Sequence, residues 1–164
     1  MNTGQMMLTV AALVLLGVTV LTVNRNNLQQ GTILHQTEVG VYAISLATSY
    51  LERSIGYDFD QATAGDAMVF GETELSTTLG RETGEIANQI ETWNDFDDFN
   101  GMNKKDTVAG VDIFTTQAIV YYVQPTTPNV STTTRTFFKR IDVKTFSNTG
   151  GDTIKLSHVY SYFY

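Results

Sequence analysis

Hydrophobic and polar positions divide this chain into three stretches with different periods. MMLTVAALVLLGVTVLTV, residues 6 to 23, runs 18 residues without a charge, and Arg25 carries the first ionisable side chain. As a helix it would be about 27 Å long, close to the ~30 Å of a bilayer's hydrocarbon. Beyond it Leu34, Val41, Ile44, Thr48, Leu51 and Ile55 recur at three, four and seven residues, one stripe of a continuing helix. Gln36, Glu38, Ser45, Ser49 and Glu52 occupy the other face. Between the two halves, NRNNLQQG (24 to 31) is polar all round, and Asn24, Asn26, Asn27 and Gly31 mark an expected joint where the helix would most easily bend or melt. Gly56 is expected to end the helix as a left-handed cap.

The period then changes to two. VDIFTTQAIVYYV (111 to 123), TRTFFKRIDVKTF (134 to 146) and TIKLSHVYSYFY (153 to 164) are rich in β-branched and aromatic residues and predict three long strands. In the middle one Phe137, Ile141 and Val143 alternate with Arg140, Asp142 and Lys144, as in an antiparallel sheet packed on one side. That apolar face is expected to cover Leu34, Val41, Ile44 and Leu51. Asn148 to Asp152, with two glycines, predicts a hairpin turn, and QPTTPNVSTTT (124 to 134) an exposed loop. Residues 57 to 110 are acidic and weakly periodic, an expected connecting region with a short helix near Arg81 to Trp93. The predicted fold is therefore α+β: an apolar helix (1–24), an amphipathic continuation (25–56), the connecting region (57–110) and a C-terminal antiparallel sheet (111–164).

Charge sharpens this. The net charge is −7, and 12 of the 17 acids lie between Glu52 and Asp98, facing only Arg53 and Arg81. Such a chain repels phosphate backbones, which argues against nucleic acid as a partner. Zero cysteines excludes disulfides, zinc-cysteine sites and thiol catalysis.

Candidate chemistry is sparse. Asp95, Asp97 and Asp98 in ETWNDFDDFNG could bind calcium, but setting Gly101 at the sixth position of an EF-hand loop puts Phe96 first and Thr107 twelfth, so that motif fails. A solvated acidic loop is expected there, and likewise at Tyr57-Asp58-Phe59-Asp60. Asn129-Val130-Ser131 is a glycosylation sequon in a threonine-rich loop. His35 and His158 have no spacing to Asp, Ser or each other that suggests a triad or metal site. No enzymatic activity and no cofactor are expected.

The first five residues carry no Lys or Arg, and Val23-Asn24-Arg25 is a poor cleavage site, so the apolar helix is expected to remain on the mature protein rather than act as a secretory signal. Thr9, Thr19, Thr22 and Gly17 interrupt its aliphatics, either as helix-contact positions or as hydroxyls bonded to their own helix.

A long N-terminal helix, half apolar and half amphipathic, followed by a variable loop and a meandering antiparallel sheet, resembles the type IV pilins and pseudopilins. Gln5-Met6-Met7-Leu8-Thr9-Val10-Ala11 is similar to that family's start, Glu-Leu-Met-Ile-Val-Val-Ala. The resemblance implies a homopolymeric, extracellular filament whose core is built from these helices. Met1 and Gln5 would dock neighbouring subunits, and Thr9, Val10, Leu13, Leu16, Gly17 and Val20 would pack them. It also implies an inner-membrane pool before assembly, a prepilin peptidase that cuts and methylates the amine, and a pilus assembly machinery. Two departures stand out. The family's acidic fifth residue is here the neutral Gln5, which lacks the charge that strengthens such a bond in lipid. The family's short basic leader is not in this sequence: either Met1 is the first mature residue, or Gly4 is the cut site and Gln5 comes first. The disulfide that pins the last strand in many pilins is replaced, in expectation, by packing of Tyr160, Tyr162, Phe163 and Tyr164. The alternatives to a major pilin are a minor pilin, a type II secretion pseudopilin, or a monomeric membrane-anchored ectodomain.

Overall fold

A computed structural model describes every residue except Met1, Asp66 and Tyr164. One helix, α1, runs Thr3–Ile55, and five strands follow: β1 Met102–Val108, β2 Asp112–Gln124, β3 Thr127–Thr132, β4 Phe138–Ser147 and β5 Ile154–Ser161. The result is the expected α+β class, one long N-terminal helix and a C-terminal antiparallel sheet, a pilin-like layout. The chain forms two compact units, residues 1–38 and 39–164.

In the first unit α1 stands with every described residue exposed. It passes unbroken through Asn24 to Gly31, so no joint is present in the single chain. Thr9, Thr19 and Thr22 return their hydroxyls to the carbonyls of Met6, Leu15 and Val18 at 2.8–2.9 Å. These side chains therefore bring no unsatisfied donor into an apolar environment.

In the second unit the strand order is β1-β2-β4-β5, all antiparallel, with β3 paired to the end of β2. Two strands depart from expectation. β1 (MNKKDTV) lies at the end of the predicted connecting region, where its polar composition masks the alternation, and β3 (TPNVST) occupies the predicted loop. Only Ile90–Thr92 forms a short 3-10 turn in the predicted helix near Arg81 to Trp93. Gly84 (φ 108°) and Asn88 (φ 63°) take left-handed backbone that no α-helix admits. The hairpin turn is as expected, with Gly150 and Gly151 both at positive φ.

The helix buries a different stripe from the predicted one. Val39, Ala43, Ala47, Tyr50 and Ser54 face inward. Ala47 and Tyr50 join Trp93, Phe96, Phe99, Val120, Ile141 and Val143 in the main core, and Val39 and Ala43 meet Phe114. Small residues win because they let the helix backbone approach the sheet closely, and Tyr50 reaches out to donate to Asp106 at 2.7 Å. Val41 lies on roughly the opposite side and Ile44 at the flank of the stripe, and both are exposed (58% and 49%). Leu34, in the first unit, is 70% exposed; only Leu51 of that predicted set packs, partly buried, on the core. Gly56 is not a left-handed cap: the helix closes with a tight turn, Gly56 N donating to Arg53 O at 3.1 Å.

The C-terminal aromatics do pin the last strand. Tyr160 packs edge-on against Phe59 and Phe96, and Tyr162 stacks on Phe137 at 5.6 Å. Tyr164 lies outside the described residues.

Candidate functional site

Two surfaces hold chemistry that a plain helix-on-sheet domain does not need. The first is α1 itself. Thr9, Val10, Leu13, Leu16, Gly17 and Val20 are all exposed, nothing approaches Gly17 within 4 Å, and Gln5 lies in the first turns of the helix. Met1 lies outside the described residues. Among the described residues one helix, α1, is long and apolar enough to cross a membrane, with a mean hydropathy of 2.5 over its most apolar 18 residues and none of that window buried in the chain. Asn24, Asn26, Asn27 and Gly31 sit exposed on the same helix, as does His35.

The second is an acidic centre inside the 39–164 unit. The sequence predicts a solvated loop at Asp95, Asp97 and Asp98; instead all three have no exposed surface, and neither has Asp60. Flanking aromatics are the cause. Phe96 and Phe99 are completely buried and Trp93 nearly so, and because they alternate with the aspartates in a tight turn, Asp97–Phe99, the acids go in with them. Phe59 does the same for Asp60.

Lys139 is the counter-charge. It lies fully buried on β4, and its ammonium donates to Phe59 O (2.8 Å), to Asp60 Oδ2 (2.7 Å) and to Asp97 Oδ1. Asp60 also accepts from the backbone N–H groups of Ala62 and Ser76, the Ser76 hydroxyl and the Tyr122 hydroxyl. Burial alone would push this carboxyl up, but the Lys139 charge and these donors together hold it below the usual carboxylate range.

Beside this pair stands a set of acids without enough donors. Glu82, Asp95 and Asp97 offer carboxylate oxygens within 4.8 Å of one another, and so do Glu82, Glu85 and Asp98. Asp95 Oδ1 is held by the N–H groups of Asp97 and Asp98, Asp98 Oδ2 by those of Asn94 and Asp95, and Glu85 Oε2 by that of Glu82. Their other oxygens, Asp95 Oδ2, Asp98 Oδ1 and Glu85 Oε1, together with Glu82 Oε2, are buried with no hydrogen-bond partner. Burial and the charges of Asp97 and Asp98 push Asp95 up to about 9. Burial, then the carboxyls facing them, push Glu82 and Asp98 up to about 7.

Sequence reasoning missed Lys139, Glu82 and Glu85, and read Asp60 as part of a solvated acidic stretch where it is in fact buried. For Lys139 a signal existed: it shares the parity of Phe137, Ile141 and Val143, so strand alternation already placed it inward. Asn129 is exposed on β3, where its side chain accepts from Arg140. His158 is half-buried in β5, opposite Ile141. No protein-family model, curated protein or solved structure matches this chain.

Proposed function

We propose that this chain is the structural subunit of a helical, type IV pilus-like extracellular filament that assembles through α1 from a membrane-anchored pool, and that it acts by packing rather than by catalysis. The observation that carries this reading is how far the uncovered apolar surface extends. From Met6 to Leu34 exposed apolar residues recur over about 42 Å of helix, against about 30 Å of bilayer hydrocarbon. A bilayer satisfies residues 6 to 23 but leaves Leu28, Ile33 and Leu34 in water. Val41 and Ile44 of the second unit add to that remainder. Neighbouring copies of the same helix would cover all of it, at about 25 cal/mol per Å² of apolar surface removed from water. The self-bonded threonines make such packing inexpensive, and Gly17 permits close approach.

The neutral Gln5 can accept or donate a hydrogen bond toward a neighbour's N-terminus, and melting at Asn24 to Gly31 would let helices slide into register. By this reading the peptidase and assembly machinery of the family act on the chain.

Electron cryo-microscopy of filaments sheared from native cells tests the proposal. A helical polymer with this sequence traced along its axis supports it and reveals whether residues 24 to 31 stay helical and which residue comes first. A chain that fractionates only with membranes and enters no filament overturns it in favour of an anchored ectodomain. Presence in trace amounts marks a minor pilin or pseudopilin.

A further inference from the structure

We propose that Glu82, Glu85, Asp95 and Asp98 form a binding site for a calcium ion inside the 39–164 unit. The orphaned oxygens point to it. Each of Glu85, Asp95 and Asp98 uses one carboxylate oxygen to hold the backbone of its own loop and leaves the other free, buried and without a donor. Glu82, which belongs to both groups of converging carboxylates, adds a fourth such atom. Four of the five unpartnered buried side-chain atoms among the described residues belong to these four acids, which fall in two converging groups that share Glu82. Leaving a buried oxygen unsatisfied is costly, and leaving several mutually repelling ones together more so.

The surrounding protein does not supply the missing charge. Lys139 is committed to Phe59 O, Asp60 and Asp97, and Arg81 is committed to the carbonyls of Asp98 and Asn100 while its guanidinium lies over Trp93, 5.6 Å from the ring centre. A bound cation meets the deficit. The donor set is entirely oxygen, which selects a hard ion over zinc or copper. The ligands come from two irregular loop segments, residues 82–85 and 95–98, and calcium tolerates such geometry where magnesium demands a near-ideal octahedron and keeps its waters. The loops are already held by their own N–H donors, so binding has little backbone left to order. The site is independent of the filament reading.

Calcium titration of the full-length chain in detergent micelles, after treatment with a chelator, is the test. One calcium per chain binding at or below millimolar concentration, with a rise in the thermal unfolding midpoint and at least tenfold preference over magnesium, is the expected result. Terbium excited through Trp93, the single tryptophan, should luminesce and be displaced by calcium. Glu85→Gln should weaken calcium binding at least about tenfold while the calcium-free chain stays folded, because the amide keeps an acceptor for Glu82 N. The proposal is overturned if the folded wild-type chain binds no calcium at millimolar concentration. It is equally overturned if Glu85→Gln leaves the affinity unchanged, which would put the ion elsewhere.

Discussion

Asp60 and Asp95 are buried to the same extent, with no exposed surface, yet their carboxyls shift in opposite directions. Asp60 has Lys139 on one oxygen and N–H and O–H donors around both, so it stays ionised. Asp95 has donors on one oxygen only and acids as neighbours, so at neutral pH it holds a proton unless a cation takes its place. Burial does not decide the state of a carboxylate; the partners brought to it do.

The comparison breaks most severely at the lysine. Lys139→Met keeps the volume but leaves Asp60 and Asp97 buried and unpaired, and should cost about 3–5 kcal/mol in chemical denaturation of the full chain. A loss under 1 kcal/mol would mean that the pair is not desolvated.

The two environments also have opposite pH signatures. Glu82, Asp95 and Asp98 titrate higher in the folded chain than the ordinary range near 4, so folding holds protons that the unfolded chain has released. Their contribution is intact below about pH 4 and is lost as pH rises toward about 9. Asp60 behaves the other way, contributing above the ordinary carboxylate range and failing as pH falls through its depressed value. In chelator the unfolding midpoint should therefore decline from pH 5 to pH 9, and saturating calcium should flatten that slope. A midpoint that climbs with pH in chelator would refute the assignment.

Tyr122→Phe sharpens the contrast more gently. Its hydroxyl lies 3.1 Å from Asp60 Oδ2 and 2.9 Å from Ser76 O, and its removal should cost about 1–2 kcal/mol without moving the high-pH decline. If the decline moves as well, the two acidic environments act as one network.

The smallest effect on stability belongs to the helix. Val41→Ser on the exposed face should change folding by no more than about 0.5 kcal/mol. By the filament proposal it should nonetheless reduce the yield of sheared filaments, and an unchanged yield would remove that face from the assembly contact.

Several elements are legible in the residues alone. The uncharged run to Val23, the three- and four-residue spacing after it, the alternation in β4 and the glycines at 150 and 151 each state a local period or turn requirement that the backbone obeys wherever it sits. The strands at 102–108 and 127–132 are not legible, because edge strands made of polar residues carry little alternation. Nor is the direction of the helix: Leu34, Val41 and Ile44 describe an apolar stripe, but Ala43 and Ala47 decide which side a sheet can approach.

Local pattern by itself determined one long helix, a hairpin turn and the strands that build the sheet, since each rests on a period or turn within a few residues, whereas the pairing of β2 with β4 joins distant segments such as Phe114 and Ser147. Tertiary structure alone decided the acidic centre, because Lys139 reaches Asp60 across 79 residues of chain and no local period carries that pairing. Charges go inside only where distant segments deliver their partners, and where those partners fall short the fold leaves carboxylates turned toward one another.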